Sequence, residues 1–209
     1  MMMAVPNNLI AAPLRFEVLQ NAVEDALDVG RVGGNRSTPA GATGRQTDDL
    51  VTQATGTPRG TPSGPVTPIQ RKDDAETARS IQMENSAAVI MAAQGWQVQQ
   101  NPTSAEVARA RRETGDTGNP HSNPDYLVEG RVFDAASPTN PAKSVRNIWS
   151  EVEEKVIERR QTQRVVLNLE DWRGDMQALR RQFADWPIPG LKEVKAITAD
   201  GDIVQIDLP

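Results

Sequence analysis

The 209-residue sequence contains no cysteine and a single histidine, and these absences exclude whole classes of chemistry. Without cysteine there is no disulfide framework, cysteine-based zinc site, iron–sulfur cluster or thiol nucleophile. A triad of serine, histidine and aspartate would have to use His121. No apolar run is as long as the roughly 18 residues of a membrane span, which predicts no transmembrane helix. The N-terminus also lacks the basic region of a signal peptide.

The composition changes along the chain and predicts three parts. Apolar residues at helical spacing after Pro13 predict a short helical segment within residues 1–29. Between residues 30 and 68, 23 of 39 residues are Gly, Pro, Ser or Thr, so a flexible linker is predicted over 30–72. Residues 73–209 carry the periodic apolar patterns of a folded domain.

The third part predicts an α/β fold with the element order αβββαβ, followed by a C-terminal α-β-β extension. A helix begins near Asp74 and ends at Gly95, where a terminating glycine belongs. Further patterns predict strands at 96–100, 125–129, 131–136 and 164–169, helices at 145–156 and 175–185, and a hairpin over 194–208. We expect a mixed central sheet flanked by helices.

Two acidic residues of the predicted hairpin are expected to face each other. With a two-residue turn at Glu129 and Gly130, Asp125 lies directly opposite Asp134, and a one-residue shift leaves both on one face. Like charges at this distance are destabilising, unless a cation lies between them or one of them holds a proton. The alternative is that both lie at solvated strand ends.

Two further charged residues lie beside the apolar stripes of predicted helices. Glu84 follows Ile81 by three positions, and Lys155 follows Val152 by three. Each has an ordinary alternative, because Glu84 can be solvated at the edge of its stripe and Lys155 can pair with glutamates of its own helix. If both converge with the hairpin acids, carboxylate oxygens suit Mg²⁺ or Mn²⁺. A bound ion beside a lysine is the equipment of a metal-dependent phosphodiesterase.

Several sequence blocks resemble a known family. The motifs NPDY (123–126) and VFDAAS (132–137), in this element order, resemble the PD-(D/E)XK nuclease superfamily. More narrowly, residues 84–209 resemble the C-terminal tRNase toxin domain of the CdiA contact-dependent inhibition proteins and related polymorphic toxins. The blocks that carry this resemblance include ENSAAVIMAAQGWQVQQNP, SVRNIW, EEKV, QTQRVVLNL and DGDIVQI.

The resemblance implies a nuclease-like core and a metal-dependent endoribonuclease that cleaves tRNA. It implies Glu84, Asp125 and Asp134 as catalytic residues that hold a divalent cation, Mg²⁺ or Mn²⁺. Where the superfamily pattern places a lysine, two residues after Asp134, this sequence has Ala136. Lys155 on the next helix is therefore expected to replace that lysine as the fourth catalytic residue.

The resemblance also implies residues that contact substrate, namely Gln161, Arg146 and Asn147. From residue 73 onward there are 16 Lys or Arg against 22 Asp or Glu, which disfavours general attraction to a polyanion. Basic clusters at 109–112, 159–164 and 180–181 are the expected local contacts, and Arg164 is a further candidate for binding substrate. Each cluster is equally well explained as a solvated face.

A toxin of this kind is expected to be exported or delivered by an apparatus on other sequence, and to act in the cytoplasm of the target cell. It is also expected to be neutralised by a cognate immunity protein. Two alternatives remain: a DNA endonuclease on the same fold, and a non-catalytic binding module. The best support for the binding module is Ala136 in place of a lysine.

Overall fold

Within residues 51–209, which the computed structural model of the protein describes, there are six strands and four α-helices. They follow the expected order, with one additional helix between the first and second strands. The elements are α1 (Ala75–Ala93), β1 (Val98–Gln100), α2 (Ser104–Thr114), β2 (Tyr126–Val128), β3 (Arg131–Ala136), α3 (Val145–Glu153), β4 (Arg164–Asn168), α4 (Met176–Asp185), β5 (Glu193–Ile197) and β6 (Ile203–Ile206). A π-helical turn, Glu154–Glu158, continues α3. The helical segment predicted within residues 1–29 lies outside the described residues.

The six strands form one mixed sheet in the order β1-β2-β3-β4-β5-β6. Three neighbouring pairs are antiparallel, namely β1–β2, β2–β3 and β5–β6. The strands β3, β4 and β5 run parallel to one another. Parallel neighbours need a crossover, and α3 and α4 provide the two crossovers. The predicted mixed α/β fold is therefore confirmed.

Capping and turn residues set the element boundaries. Asp74 caps α1 by accepting a hydrogen bond from the amide of Thr77 at 2.7 Å, and Gly95 ends it with a φ of 91°. Glu129 and Gly130 both have positive φ, 50° and 73°, as a type I′ hairpin turn requires at its two central positions. The predicted two-residue turn is therefore confirmed.

The sheet is buried between helices on both faces. Val165 and Leu167 of β4 pack in a cluster with Val152 of α3 and Leu179 of α4. Val166, the residue between them, packs in a second cluster that contains the buried side of α1. Because alternate residues of a strand point to opposite faces, α1 covers one face and α3 and α4 cover the other. None of the helices in the described part of the chain is both long and apolar enough to cross a membrane.

The structure differs from the expected flexible linker over residues 51–72. These residues have no helix, but residues 51–67, which we call the strap, are hydrogen-bonded along the folded domain. Ser63 forms a β-bridge with Gln99 at the edge of the sheet, beyond β1. The physical reason is that a Gly- and Thr-rich segment docks through backbone groups and hydroxyls rather than through apolar side chains. Hydrophobic periodicity cannot detect such a contact.

Candidate active site

The β2–β3 hairpin brings two acidic residues to the same end of the sheet. Tyr126 pairs with Phe133 in the register of these strands, so one residue further along Asp125 lies opposite Asp134. Asp125 Oδ2 accepts a hydrogen bond from the amide of Ala135 at 2.7 Å. Asp134 is fully buried, which rules out the alternative that both acids lie at solvated strand ends. The predicted register is confirmed.

Lys155 reaches the hairpin acids from the helix that follows them. It lies in the π-helical turn that continues α3, and its Nζ forms a hydrogen-bonded ion pair with Asp134 Oδ1. Such turns occur frequently at functional sites, and the altered helical phase sets the direction in which the side chain leaves the helix. Lys155 therefore pairs with the hairpin acid rather than with a glutamate of its own helix.

Glu84 approaches the same place from α1. Its Oε1 accepts a hydrogen bond from Thr67 Oγ1 at 2.6 Å. Its backbone carbonyl accepts one from the Tyr126 hydroxyl at 2.5 Å. Tyr126 is fully buried next to Asp125, so this bond ties α1 to the hairpin. Glu84 is thus half-buried and hydrogen-bonded, not simply solvated at the edge of its helix.

In this cleft, three carboxylic acids lie near a single lysine, and their charges shift one another's pKa values. Burial, followed by repulsion from Asp134 and Glu84, raises the pKa of Asp125 well above its ordinary value. Burial also raises the pKa of Glu84; the hydrogen bond from Thr67 opposes this, and repulsion from Asp134 adds to it. Burial lowers the pKa of Lys155, but attraction to Asp134 and Asp125 outweighs it and the net shift is upward. Lys155 is therefore held as a cation.

The donor chemistry of these acids fits a divalent cation. Asp134 Oδ2 is buried and has no hydrogen-bond partner among residues 51–209, and a buried polar atom without a partner is costly. Carboxylate oxygens are the ligands that Mg²⁺ and Mn²⁺ prefer. In the same part of the chain, no three acidic or histidine side chains are grouped closely enough to form a finished metal site. The donor types suit such an ion, although the carboxylates are not grouped as its ligands in this arrangement.

Three of the four side chains open onto a cleft of about 290 Å³, which Glu84, Asp125 and Lys155 line together with Ala136 and Arg159. The fourth side chain, that of Asp134, is buried behind them and pairs with Lys155. A larger hollow of about 420 Å³ lies between the strap, β1 and α2, but none of the four groups lines it. We assign the chemistry to the smaller cleft, because that is where the acids and the lysine meet.

Two of the predicted substrate-binding residues lie away from this cleft. Arg146 and Asn147 are exposed in the first turn of α3, about 13 Å along the helix axis from Lys155 at 1.5 Å per residue. The guanidinium of Arg146 stacks over the rings of Trp149 and Trp186, at 4.3 Å and 5.0 Å from their centroids. The structure therefore does not bring this pair to the carboxylates.

Gln161 and Arg164 have structural contacts. The backbone amide of Gln161 donates to the carbonyl of Lys155 at 2.9 Å, whereas its side-chain Oε1 is buried without a hydrogen-bond partner among residues 51–209. Arg164 is fully buried and pairs with Glu193 at 2.6 Å. It lies 3.4 Å from the buried carboxylate of Asp116. Arg164 is therefore not placed where a substrate could reach it, because its guanidinium is enclosed with two acids.

Arg159, which belongs to the basic cluster expected at 159–164, lines the cleft. Two further residues of the site were not predicted from the sequence. Tyr126 belongs to the NPDY motif, but its contact with Glu84 needs the folded arrangement. Thr67 lies in the segment with linker-like composition, where no sequence signal marked it.

Comparisons with known proteins show which family the chain that carries this cleft resembles. The family model described as the contact-dependent growth inhibition CdiA C-terminal domain matches residues 122–203, which include Asp125, Asp134 and Lys155. A solved chain from a "CdiA-CT/CdiI toxin and immunity complex from Burkholderia pseudomallei" is 34% identical, with a TM-score of 0.59. The match covers 71% of this chain and 99% of that chain. The chain belongs to the CdiA C-terminal domain family.

A curated relative carries a name that describes an activity. The "tRNA nuclease CdiA-2" of Burkholderia pseudomallei (strain 1026b) is 35% identical over 172 residues, which is 82% of this chain. The aligned part is about 5% of the length of that relative. The resemblance to the C-terminal toxin domain of the CdiA proteins is confirmed.

Proposed function

We propose that the folded domain is a toxin that acts as a metal-dependent endoribonuclease and cleaves tRNA. The observation that carries the proposal is the meeting of Glu84, Asp125, Asp134 and Lys155 in and beneath one cleft. Buried carboxylates with raised pKa values, beside a specific cation in a cleft, are typical of a catalytic site. The name of the curated relative, a tRNA nuclease, supports the choice of substrate.

Each side chain of the cleft has a chemical role in phosphodiester hydrolysis. Lys155, kept charged by Asp134, stabilises the negative charge that develops on the phosphoryl oxygens. Burial and repulsion from Asp134 and Glu84 raise the pKa of Asp125, and a cation bound among these carboxylates would relieve that repulsion. Glu84, Asp125 and Asp134 would hold the divalent cation, Mg²⁺ or Mn²⁺. When bound, such an ion lowers the pKa of a water molecule and stabilises charge on a phosphoryl oxygen.

Substrate binding depends on local basic groups, because residues 73–209 carry more acidic than basic side chains. Arg159 lies at the cleft, where its guanidinium pairs with Glu154 at 2.6 Å and is half-exposed. A phosphate group can compete for this guanidinium because exposed ion pairs are weak. Arg146, exposed on its tryptophan platform, supplies a second contact further along α3. Both contacts read phosphate and shape rather than base sequence.

A cognate immunity protein is the proposed partner. The solved relative is named as a complex of toxin and immunity protein, and a toxin that cleaves tRNA would also harm the cell that makes it. We place the site of action in the cytoplasm of a target cell, after delivery by other sequence. This follows the family description, contact-dependent growth inhibition.

The proposal is tested with the purified full chain and total tRNA on a denaturing gel, with Mg²⁺, with Mn²⁺ and with EDTA. Discrete tRNA fragments are expected with either ion and none with EDTA. The Asp125→Asn variant should leave tRNA intact, while Asp200→Asn, at an exposed position after β5, should cleave as the wild type does. Supercoiled plasmid in parallel lanes tests the DNA alternative. Plasmid nicking with intact tRNA would contradict the choice of substrate.

A further inference from the structure

The strap is anchored at its first end in the interior of the domain. The backbone amide and the hydroxyl of Thr52 donate to Glu193 Oε1, at 3.1 Å and 2.6 Å. Lys195 Nζ donates to the carbonyl of Thr52 at 3.0 Å. All three residues are buried, and buried hydrogen bonds to charged groups are among the stronger ones. This end of the strap is part of the folded domain.

The middle of the strap lies backbone to backbone against β1. The amide of Ser63 donates to the carbonyl of Val98, and the amide of Gln100 to that of Ser63, both at 2.8 Å. Gly64 has a φ of 80°, and a Cβ atom at this position would lie 2.1 Å from the carbonyl oxygen of Gln100. Only glycine fits such an approach, so the sequence of the strap is matched to this edge of the sheet.

The last residue of the strap is held by two asparagines. The amide of Thr67 donates to Asn85 Oδ1 at 3.2 Å, and Asn85 Nδ2 donates back to the carbonyl of Thr67 at 2.9 Å. Asn101 Nδ2 donates to Thr67 Oγ1 at 2.8 Å. A hydroxyl has a single proton, and because Asn101 is a donor, that proton is directed to Glu84 Oε1, 2.6 Å away.

We propose that Thr67 is a positioning residue of the active site, which orients the Glu84 carboxylate, and that the strap is the part of the domain that holds it there. The inference rests on the proposed nuclease function. A single directed hydrogen bond from an anchored hydroxyl limits the orientations of a carboxylate on a long, flexible side chain. The functional domain therefore includes residues 51–67, although their composition is that of a linker.

The experiment compares tRNA cleavage by full-length wild type, Thr67→Val and Thr67→Ser. Valine keeps the shape and removes the hydroxyl, so kcat should fall by about tenfold to a hundredfold, the range for a lost hydrogen bond to a charged group. KM should stay within about twofold, because Thr67 is not among the residues that line the cleft. Serine restores the hydroxyl and should restore most of kcat. Thr57→Val, an exposed threonine of the same strap, should match wild type.

A second variant tests the role of the strap without altering the hydroxyl. Gly64→Ala should displace the strap from β1, accelerate hydrogen exchange of the amides of Ser63 and Thr67, and lower kcat as Thr67→Val does. Exchange in the wild-type chain needs no substrate, so it tests docking separately from catalysis. Wild type that cleaves no tRNA would refute the proposed function. Active wild type with unchanged kcat in Thr67→Val, or unprotected strap amides in wild type, would overturn the role of Thr67.

Discussion

The ion pair between Lys155 and Asp134 gives the most quantitative prediction about this cleft. Asp134 has a side-chain exposure of 1%, and Lys155 has one of 20%. Lys155 is the hydrogen-bond donor to Asp134 Oδ1, while Oδ2 has no partner among residues 51–209. Removing the lysine therefore leaves a buried carboxylate, beside two others, without a neighbouring cation.

The predicted perturbation is Lys155→Met, which keeps the length of the side chain and removes its charge. Breaking a buried pair by deleting one partner costs about 3–5 kcal/mol. Because Lys155 is partly exposed, we expect the lower end, about 3 kcal/mol, in the free energy of unfolding measured with urea. Cleavage of tRNA should slow by about 100-fold to 1000-fold, as for the loss of one group that stabilises transition-state charge.

A double-mutant cycle separates the electrostatic effect from a loss of packing. In Lys155→Met with Asp134→Asn the uncompensated charge is gone, so most of the lost stability should return while cleavage stays defective. Arg181→Met is the control, because it breaks an exposed pair with Asp175 and should change stability by at most about 0.5 kcal/mol. Lys155→Met with wild-type stability and wild-type cleavage would refute the reasoning, and so would a double variant no more stable than Lys155→Met.

Three further predictions concern other residues. Burial and the neighbouring carboxylates raise the pKa of Asp125 above 3.8, its ordinary value, and a carboxyl with a raised folded pKa favours folding only while protonated. The contribution of Asp125 to stability is lost as pH rises from about 3.8 to its pKa in the folded protein. At higher pH, Asp125→Asn should therefore have a larger free energy of unfolding than wild type, measured by urea titration at several pH values. The variant should nevertheless be inactive. Arg164→Met should lower the free energy of unfolding by about 3 kcal/mol, because Glu193 loses a buried partner; tRNA affinity of the folded fraction, from filter binding, should not change. Arg146→Ala should raise KM for tRNA severalfold with kcat unchanged, and an altered kcat with constant KM would contradict its assignment to binding.

Local sequence signals predicted the fold and the position of the two hairpin acids. The capping aspartate and the terminating glycine fixed α1 to within a residue, and the turn at Glu129 and Gly130 fixed the register that faces Asp125 with Asp134. Both depend on neighbours within a few residues. The approach of Lys155 was expected from helical spacing and the family resemblance, but the π-helical turn that carries it has no sequence signature in the apolar pattern.

What the sequence could not predict depends on partners distant along the chain. Arg164 begins an apolar run and is a sequence candidate for binding substrate, but its partner Glu193 lies 29 residues later, in the neighbouring strand. Thr67 lies in a segment whose composition is typical of flexible linkers, and its docking depends on single hydrogen bonds from Asn85 and Asn101. Such contacts depend on the folded arrangement and leave no periodic pattern.

The most direct test of the central claim is the initial rate of tRNA cleavage by the purified full chain as Mg²⁺ is added back after treatment with EDTA. Wild type should be inactive in EDTA and should reach a saturating rate as Mg²⁺ increases. Asp134→Asn should stay at least about 100-fold slower at every Mg²⁺ concentration. Equal rates with and without Mg²⁺, or an Asp134→Asn variant that cleaves at the wild-type rate, would contradict a metal-dependent nuclease built on this cleft.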